Sequence, residues 1–209
     1  MRLWTIQGIE IYEQLVRNGV AYCTKPSWGD VEVFIYAYHW MTSQMRKRIG
    51  EPPIDGIEYP LWAWYQYDSA KNNKPPRNQN NVPEGLTVYM EIEIPEKDVV
   101  LSDFNSWNAP LNQAPLRNWK KIWKKMELQD KIAGRSLDFM EYPLELRQEI
   151  EESWEAVFDL DLREKGISRK LKRNRSIQAT FWALYPENIV SVEFLERKGD
   201  IVRTINRNL

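Results

Sequence analysis

Alternating apolar and polar side chains predict most of the strands in this chain. Residues 86–94 are the clearest case, because every second side chain is apolar while Glu91 and Glu93 lie between them. Successive side chains of a strand point to opposite faces, so these two carboxylates share one face. Weaker patterns of the same kind predict further strands at residues 2–6, 20–22, 59–67, 99–101, 177–184, 189–195 and 200–205, the last three paired as a meander.

Helical spacing of apolar residues predicts helices at 8–18 and 29–49 and a charged helical segment at about 113–175. The second helix is capped by Gly29-Asp30, and Ser102-Asp103 is predicted to cap a short turn of helix through residue 107. No internal repeat is present. The pattern therefore predicts a single α+β domain over residues 1–209, with a mixed, mostly antiparallel sheet, flanking helices and a charged helical insert.

Composition removes several classes of function. The formal net charge is -1, which gives no general bias towards nucleic acid or anionic membranes. Cys23 is the single cysteine and His39 the single histidine, so a disulfide framework within one chain and a zinc site of His and Cys are excluded. Ser-His-Asp or Cys-His chemistry would have to use His39, whose place in a helical pattern favours a structural role. The start lacks the pattern of a signal peptide, and no apolar run approaches the length of a membrane span. These features predict a reduced, cytoplasmic protein without a bound metal or a membrane partner.

Tryptophan is the unusual component, with ten among 209 residues. The strand pattern at residues 59–67 places Trp62 and Trp64 on one face. The pattern at 177–184 places three polar or amphipathic side chains on one face, namely Gln178, Thr180 and Trp182. Such a face fits either a half-buried surface strand or the floor of a ligand cleft, because indole rings both fill cores and stack on flat ligands.

Charged residues leave three further questions open. Glu91 and Glu93 suit either acid–base chemistry or a solvated strand face. Residues 68–85 are rich in Asn, Lys and Pro, include Arg77, and form a loop that is either disordered or functional. A basic run interleaved with tryptophan (Lys120, Lys121, Lys124 and Lys125 beside Trp119 and Trp123) either pairs with the acidic residues of 141–164 or forms a groove for single-stranded nucleic acid.

Five groups of residues carry a resemblance to a known family. They are Leu3-Trp4-Thr5-Ile6-Gln7 with Gly19, the segment 38–48, Pro60-Leu61-Trp62-Ala63-Trp64, Leu101-Ser102-Asp103-Phe104 with Trp107 and Leu111-Asn112, and Gln178-Ala179-Thr180-Phe181-Trp182. With these groups the chain resembles the bacterial and phage family known as domain of unknown function 3841. That resemblance spans nearly the whole chain and implies no established activity.

A second resemblance involves the order of the elements. A first strand, a helix ending in Gly19 and a late strand with Gln178, followed by Pro186-Glu187-Asn188, are similar to the layout of ADP-ribosyltransferase-like folds. The resemblance implies that Arg2 or Thr5 helps to hold NAD. It also implies that an indole of 62–64 stacks on the nicotinamide.

The same resemblance assigns the late-strand position to Gln178, where those enzymes carry a glutamate. Neutral Gln178 supplies no charge against a developing oxocarbenium cation, so an active enzyme would need Glu91, Glu93 or Asp103 for that purpose. Further binding residues implied at the cleft are Ser102, Thr180 and Trp182.

The leading prediction is therefore an ADP-ribosyltransferase-like protein. It would bind NAD or a related nucleotide in a Trp-lined cleft, with possible transfer of ADP-ribose to a macromolecule. The alternative prediction is a non-enzymatic module that binds nucleic acid or protein through the basic, Trp-bearing helices. The sequence leaves the oligomeric state open.

Overall fold

The computed structural model describes residues 1–24, 32–67, 74–161 and 175–206. The strands are β1 (Arg2–Gly8), β2 (Ala21–Tyr22), β3 (Leu61–Gln66), β4 (Gly85–Glu93), β5 (Val100–Asp103), β6 (Ile177–Phe181), β7 (Ala183–Leu184), β8 (Ile189–Lys198) and β9 (Ile201–Ile205). The α-helices are α1 (Ile9–Asn18), α2 (Glu32–Ile49), α3 (Asn108–Leu111), α4 (Trp119–Ala133) and α5 (Leu144–Trp154). The chain is thus α+β, as predicted.

The main sheet has seven strands in the order β5-β6-β3-β1-β4-β8-β9, and β2 pairs separately with β7. Antiparallel pairing joins β6 to β3, β3 to β1, β1 to β4, β4 to β8 and β8 to β9. The predicted meander of the last three strands is therefore wrong for its first member. Only β8 and β9 form a hairpin, while β6 lies on the far side of β1, because its partners are set by the tertiary fold and not by the nearest turn.

One face of this sheet is the core. Leu3 on β1, Met90 on β4 and Ala179 on β6 are completely buried there, and Leu15 of α1 packs against them. α1 ends at Gly19, which has a φ of 71° and donates its N–H to the carbonyl of Leu15. A left-handed residue at this position suits glycine, which has no Cβ to clash. The sequence predicted both the alternation of side chains along these strands and the end of α1 before Gly19.

The chain divides into two compact units, each described by itself. The first comprises Met1–Asp30, Tyr38–Leu101 and Ser176–Leu209, and the second comprises Val31–Ala37 and Ser102–Arg175. The first contains most of the sheet, and the second contains α3, α4 and α5. The helical segment predicted at 113–175 lies within the second unit. That the whole chain is one domain stays a prediction.

The second unit has its own core around Trp154. This side chain is completely buried, stacks on Phe139 at 5.8 Å and donates its indole N–H to the carbonyl of Ala114 at 2.7 Å. The ring of Tyr36 meets both aromatic rings edge-on, and its hydroxyl donates to Glu151. Burial raises the pKa of Tyr36 to about 12, and the hydrogen bond to Glu151 acts in the same direction.

The basic and acidic runs of this unit do meet. Lys121 and Lys125 of α4 both form ion pairs with Glu149 of α5. The two charge blocks thus pair between helices at this point, one of the two alternatives left open by the sequence. Residues 162–174 of the predicted helical segment and the predicted cap at Gly29-Asp30 lie outside the described residues.

The predicted turn of helix through Trp107 is present. It lies between the end of β5 at Asp103 and the start of α3 at Asn108, and Trp107 donates its backbone N–H to the carbonyl of Asp103 at 3.0 Å. Asp103 caps this turn, since its Oδ1 accepts the backbone N–H of Ser106 at 2.8 Å. Short polar side chains satisfy backbone donors at such turns.

Candidate functional site

A row of side chains crosses four strands on the face of the sheet opposite the core. In register order it contains Gln178 on β6, Trp64 on β3, Trp4 on β1 and Glu91 on β4. Residues opposite one another in an antiparallel pair project from the same face, with their Cβ atoms about 5 Å apart. We call this row, together with Trp62 two residues before Trp64, the tryptophan face.

The two indoles of β3 are half-buried on this face, and tyrosine rings fix their orientation. The ring of Tyr38 meets Trp62 edge-on at 5.7 Å, and the ring of Tyr67 meets Trp64 edge-on at 4.9 Å. Edge-on packing of this kind favours one orientation of the ring over others. Trp62 is in register with Thr180, and Trp64 is in register with Gln178. The pairing of β3 with β6 therefore places the two predicted tryptophans opposite the two predicted polar residues.

Gln178 has an unsatisfied acceptor. Its side-chain oxygen, Oε1, is buried and accepts no hydrogen bond from any described residue. A buried polar atom without a partner costs about 1–3 kcal/mol, and such atoms are rare in native proteins. A ligand hydroxyl or amide N–H next to Trp64 would satisfy it.

Charged groups lie at the other end of the row. Glu91 accepts a hydrogen bond from Lys74 at 3.0 Å and lies 3.4 Å from the guanidinium of Arg2. The hydrogen bond from Lys74 holds the pKa of Glu91 below its ordinary value of 4.5, against the opposing effect of burial, and the charges of Lys74 and Arg2 add to the lowering. Glu91 is therefore a carboxylate at neutral pH and a poor general acid. The ammonium of Lys74 also lies 5.7 Å above the ring of Trp4.

Lys74→Met is expected to raise the pKa of Glu91 towards 4.5, because it removes the largest cause of the lowering. A group with a lowered pKa stabilises the fold fully above its unfolded value and loses that contribution as pH falls through the folded value. The unfolding free energy of the variant should therefore decrease less between pH 5 and pH 3 than that of the native chain. Carboxyl ¹³C NMR titration measures the pKa directly.

The matched control is Lys198→Met, which removes an exposed ion pair with Glu196 on β8. It should leave the titration of Glu91 unchanged. An unaltered Glu91 pKa in Lys74→Met would show that the contact with Lys74 does not govern this carboxylate.

The described part of the predicted loop, residues 74–84, packs against the same side of the sheet. The Tyr89 hydroxyl donates to the carbonyl of Pro75, Arg77 pairs with Glu193 and lies 4.8 Å from the Tyr89 ring, and Val82 is buried. Burial raises the pKa of Tyr89 to about 12, although Arg77 opposes this. This segment thus has a packing role beside the tryptophan face, and residues 68–73 lie outside the described part of the chain.

The remaining predicted residues on β1, β4 and β6 divide between the two faces. Thr5 is buried on the core face, where its hydroxyl donates to the carbonyl of Trp62 at 2.7 Å, so it holds β3 and does not reach the tryptophan face. Thr180 is also completely buried and donates to the carbonyl of Val100 at 3.4 Å. Glu93 is exposed and in register with Arg2. Of these, only Glu93 and Arg2 stay open to solvent.

Ser102 and Asp103 belong to the second unit, where both are buried. The second carboxylate oxygen of Asp103 lies 3.7 Å from Arg175, and each side chain of this pair is 1% exposed. Burial to this extent favours a structural role for Asp103. The Ser102 hydroxyl is buried without a hydrogen bond among the described residues.

Trp182 does not continue the row of Gln178 and Thr180. The chain bends at this residue, after β6 has ended at Phe181, and the buried indole donates to the carbonyl of Gly50 at 3.0 Å. Trp182 lines a cavity that does not include Gln178, Trp62 or Trp64. Alternation along an uninterrupted strand predicted one face for all three, and the bend explains the difference.

Sequence reasoning missed Trp4, Lys74 and Tyr38. Alternation in β1 places Trp4 on the same face as Arg2, so this residue could have been found from the pattern. Lys74 and Tyr38 come from a loop and from α2, and their positions depend on the tertiary fold. His39 is exposed and stacks on Tyr59 at 5.8 Å, which gives it a packing role.

The family described as a domain of unknown function (3841) matches residues 2–190. The chain belongs to this family. The match includes the residues of the tryptophan face. No curated protein and no solved structure matches the chain.

Among the described residues, no three His, Cys, Asp or Glu side chains come close enough to hold a metal ion. Across the same residues, each helix is either too short or too polar to cross a membrane.

Proposed function

We propose that the tryptophan face binds a nucleotide of the NAD type. The observation that carries the proposal is the buried, unsatisfied Oε1 of Gln178 beside the indole of Trp64. A ribose hydroxyl or a carboxamide N–H supplies the missing donor, and a neutral glutamine holds such a group without needing a charge. Because an unsatisfied acceptor costs free energy in the unliganded protein, its pairing with a ligand favours the bound state.

The indoles of β3 suit the planar part of such a ligand. Trp62 and Trp64 are both half-buried, and two tyrosine rings hold them in fixed orientations. Stacking of a base on an aromatic side chain contributes about 1–3 kcal/mol and tolerates different bases, since every base has a π face. Rings that are already oriented lose little entropy on binding.

The charges at the far end of the row suit a phosphate. The Arg2 side chain is 57% exposed and that of Lys74 is 43% exposed, so both cations are accessible to a ligand. Their present partner is Glu91, and a phosphate would compete with this carboxylate for them. A guanidinium forms paired hydrogen bonds with phosphate oxygens more readily than with most other ligands.

Binding is better supported than transfer of ADP-ribose. Three strand intervals separate Gln178 from Glu91, which corresponds to about 14 Å at the ordinary spacing of strands. A carboxylate that stabilises an oxocarbenium cation must lie against the sugar, and Glu91 is too far from Gln178 to act on the same ribose. We propose the transfer of ADP-ribose to a macromolecule only as a second step beyond binding. The release of nicotinamide from NAD⁺ would measure that reaction.

The test is a calorimetric titration of NAD⁺, with tryptophan fluorescence as a second readout. Trp64→Ala is expected to weaken binding about 5- to 150-fold, as loss of one stacking contact predicts. Gln178→Leu should weaken it about tenfold, because the buried acceptor is removed. The matched control is Trp123→Ala, which removes a 42% exposed indole from α4. No heat and no quenching up to millimolar NAD⁺ would overturn the proposal.

The alternative, a nucleic-acid or protein surface on α4, has weaker support. Trp123, which is exposed, and Trp119, which is half-buried, line a cavity of about 340 Å³ in the second unit. The ammonium of Lys120 lies 5.6 Å above the Trp119 ring. However, Lys121 and Lys125 are both paired with Glu149, which reduces the positive charge that a phosphate backbone would meet.

A further inference from the structure

A second cavity lies in the first unit and includes none of the residues of the tryptophan face. Its volume is about 390 Å³, within the usual range for small-molecule sites. Aromatic side chains form much of its wall, namely Phe181, Trp182 and Tyr185, and Ile94 and Pro95 add apolar surface. The apolar part of a small ligand would lose contact with water against this wall.

The charged residues that line this cavity, within the described part of the chain, are all acidic. They are Glu51, Asp98 and Glu187. Asp98 and Glu187 form no ion pair with a described residue, whereas Glu51 pairs with Arg46 at 2.9 Å. Carboxylates beside a low-dielectric wall concentrate their field in the cavity, so the cavity attracts cations and repels phosphates.

The guanidinium of Arg46, which is not itself among the lining residues, lies next to two side chains that line the cavity, Trp182 and Glu51. This group lies 5.7 Å from the ring of Trp182 and donates its Nε–H to Glu51 at 2.9 Å. A cation above an indole ring is stabilised by the ring quadrupole, and a carboxylate beside it adds a charge-assisted hydrogen bond. Trp182 and Glu51 thus show which chemistry this wall favours. Tyr185 and Glu187, two residues apart in the chain, also line the cavity.

We propose that this cavity binds a monocation on a short apolar stem, that is, an ammonium or guanidinium group carried by an alkyl chain. The stem packs on Phe181 and Trp182, and the cation meets Asp98 and Glu187. A free amine and the lysine or arginine side chain of a peptide share this chemistry. The site is distinct from the proposed nucleotide site, whose ligand carries the opposite charge.

The experiment uses the native chain and follows the Trp182 indole N–H by NMR, assigned with Trp182→Phe. The probes are n-butylguanidinium, n-butylammonium and N-acetyl-arginine amide, with neutral 1-pentanol and anionic butyrate as controls of similar size. The cations should shift this resonance and bind at least about tenfold more tightly than either control, since a charge-assisted contact has roughly this effect. If only N-acetyl-arginine amide binds, the ligand is a peptide side chain; if the free amines bind equally well, it is a small molecule.

The variant Asp98→Asn/Glu187→Gln tests the two carboxylates. It should weaken butylguanidinium binding at least about tenfold, while Glu84→Gln/Glu196→Gln, which neutralises two acids outside the cavity, leaves it unchanged. NAD⁺ binding at the tryptophan face should be the same in both variants, so the two proposals fail or stand separately. Equal affinity for butylguanidinium and 1-pentanol, or no effect of the first variant, would overturn the inference.

Discussion

Trp154→Ala is expected to lower the free energy of unfolding by about 3–5 kcal/mol, the usual range for removing a buried tryptophan. The indole is completely buried, stacks on Phe139 and donates to the carbonyl of Ala114. Its loss removes apolar contact area, leaves a cavity beside Phe139 and Tyr36, and leaves the carbonyl of Ala114 without its donor. Urea unfolding followed by far-UV circular dichroism measures the change, with the slope against urea expected to stay constant.

Trp154→Phe is the matched control. It keeps an aromatic ring against Phe139 but removes the hydrogen bond to Ala114, so it should cost clearly less than Trp154→Ala. The exposed Trp123→Ala should change stability little, because its side chain already contacts solvent. A cost below about 1 kcal/mol for Trp154→Ala would show that Trp154 is not central to the core of the second unit.

Arg175→Met is expected to cost about 3–5 kcal/mol of stability, because it leaves the carboxylate of Asp103 buried without a counter-charge. Both side chains are 1% exposed, and the guanidinium lies 3.7 Å from the second oxygen of Asp103. Water cannot compensate a charge at such a depth. Chemical denaturation at neutral pH measures the change.

The double variant Arg175→Met/Asp103→Asn should recover most of this loss. Asparagine is neutral, and its side-chain oxygen still accepts the N–H of Ser106, which Asp103 caps at 2.8 Å. Arg135→Met, which breaks an exposed pair with Glu141, serves as the control and should change stability little. If the double variant is no more stable than Arg175→Met, the buried charge is not the source of the cost.

These two predictions also bear on function. Asp103 is one of the residues predicted to supply the charge that Gln178 lacks, and its burial against Arg175 gives the same residue a structural role. A variant that abolishes NAD⁺ binding by unfolding the second unit would wrongly suggest that Asp103 contacts the ligand. Every Asp103 variant therefore needs an unfolding curve beside its binding curve.

Local patterns predicted most elements of the fold. β4 alternates most clearly because one of its faces packs on the core, and the alternation in 86–94 predicted β4 to within a residue at each end. α1 was equally predictable, since Gly19 stops it in a left-handed conformation. The order of the strands in the sheet could not be predicted, because β6 pairs with β3 across more than a hundred residues of sequence.

The candidate site was predictable to the extent that it depends on single strands. Trp62 and Trp64 share a face because side chains alternate along a strand, and the same alternation places Gln178 and Thr180 on one face. Their meeting depends on the pairing of β3 with β6, which places Trp64 opposite Gln178. No local pattern in the sequence predicts the bend at Trp182 or the position of Lys74, which comes from a loop.

The sequence by itself determined the class of the fold, the two faces of each strand and the exclusion of chemistry based on cysteine or several histidines. These follow from side-chain period and residue type, which act over a few neighbouring residues. Only the tertiary structure decided that Gln178, Trp64, Trp4 and Glu91 form one row and that Trp182 faces a separate acidic cavity. Strand register and burial decide such contacts, and both depend on residues that are distant in the chain.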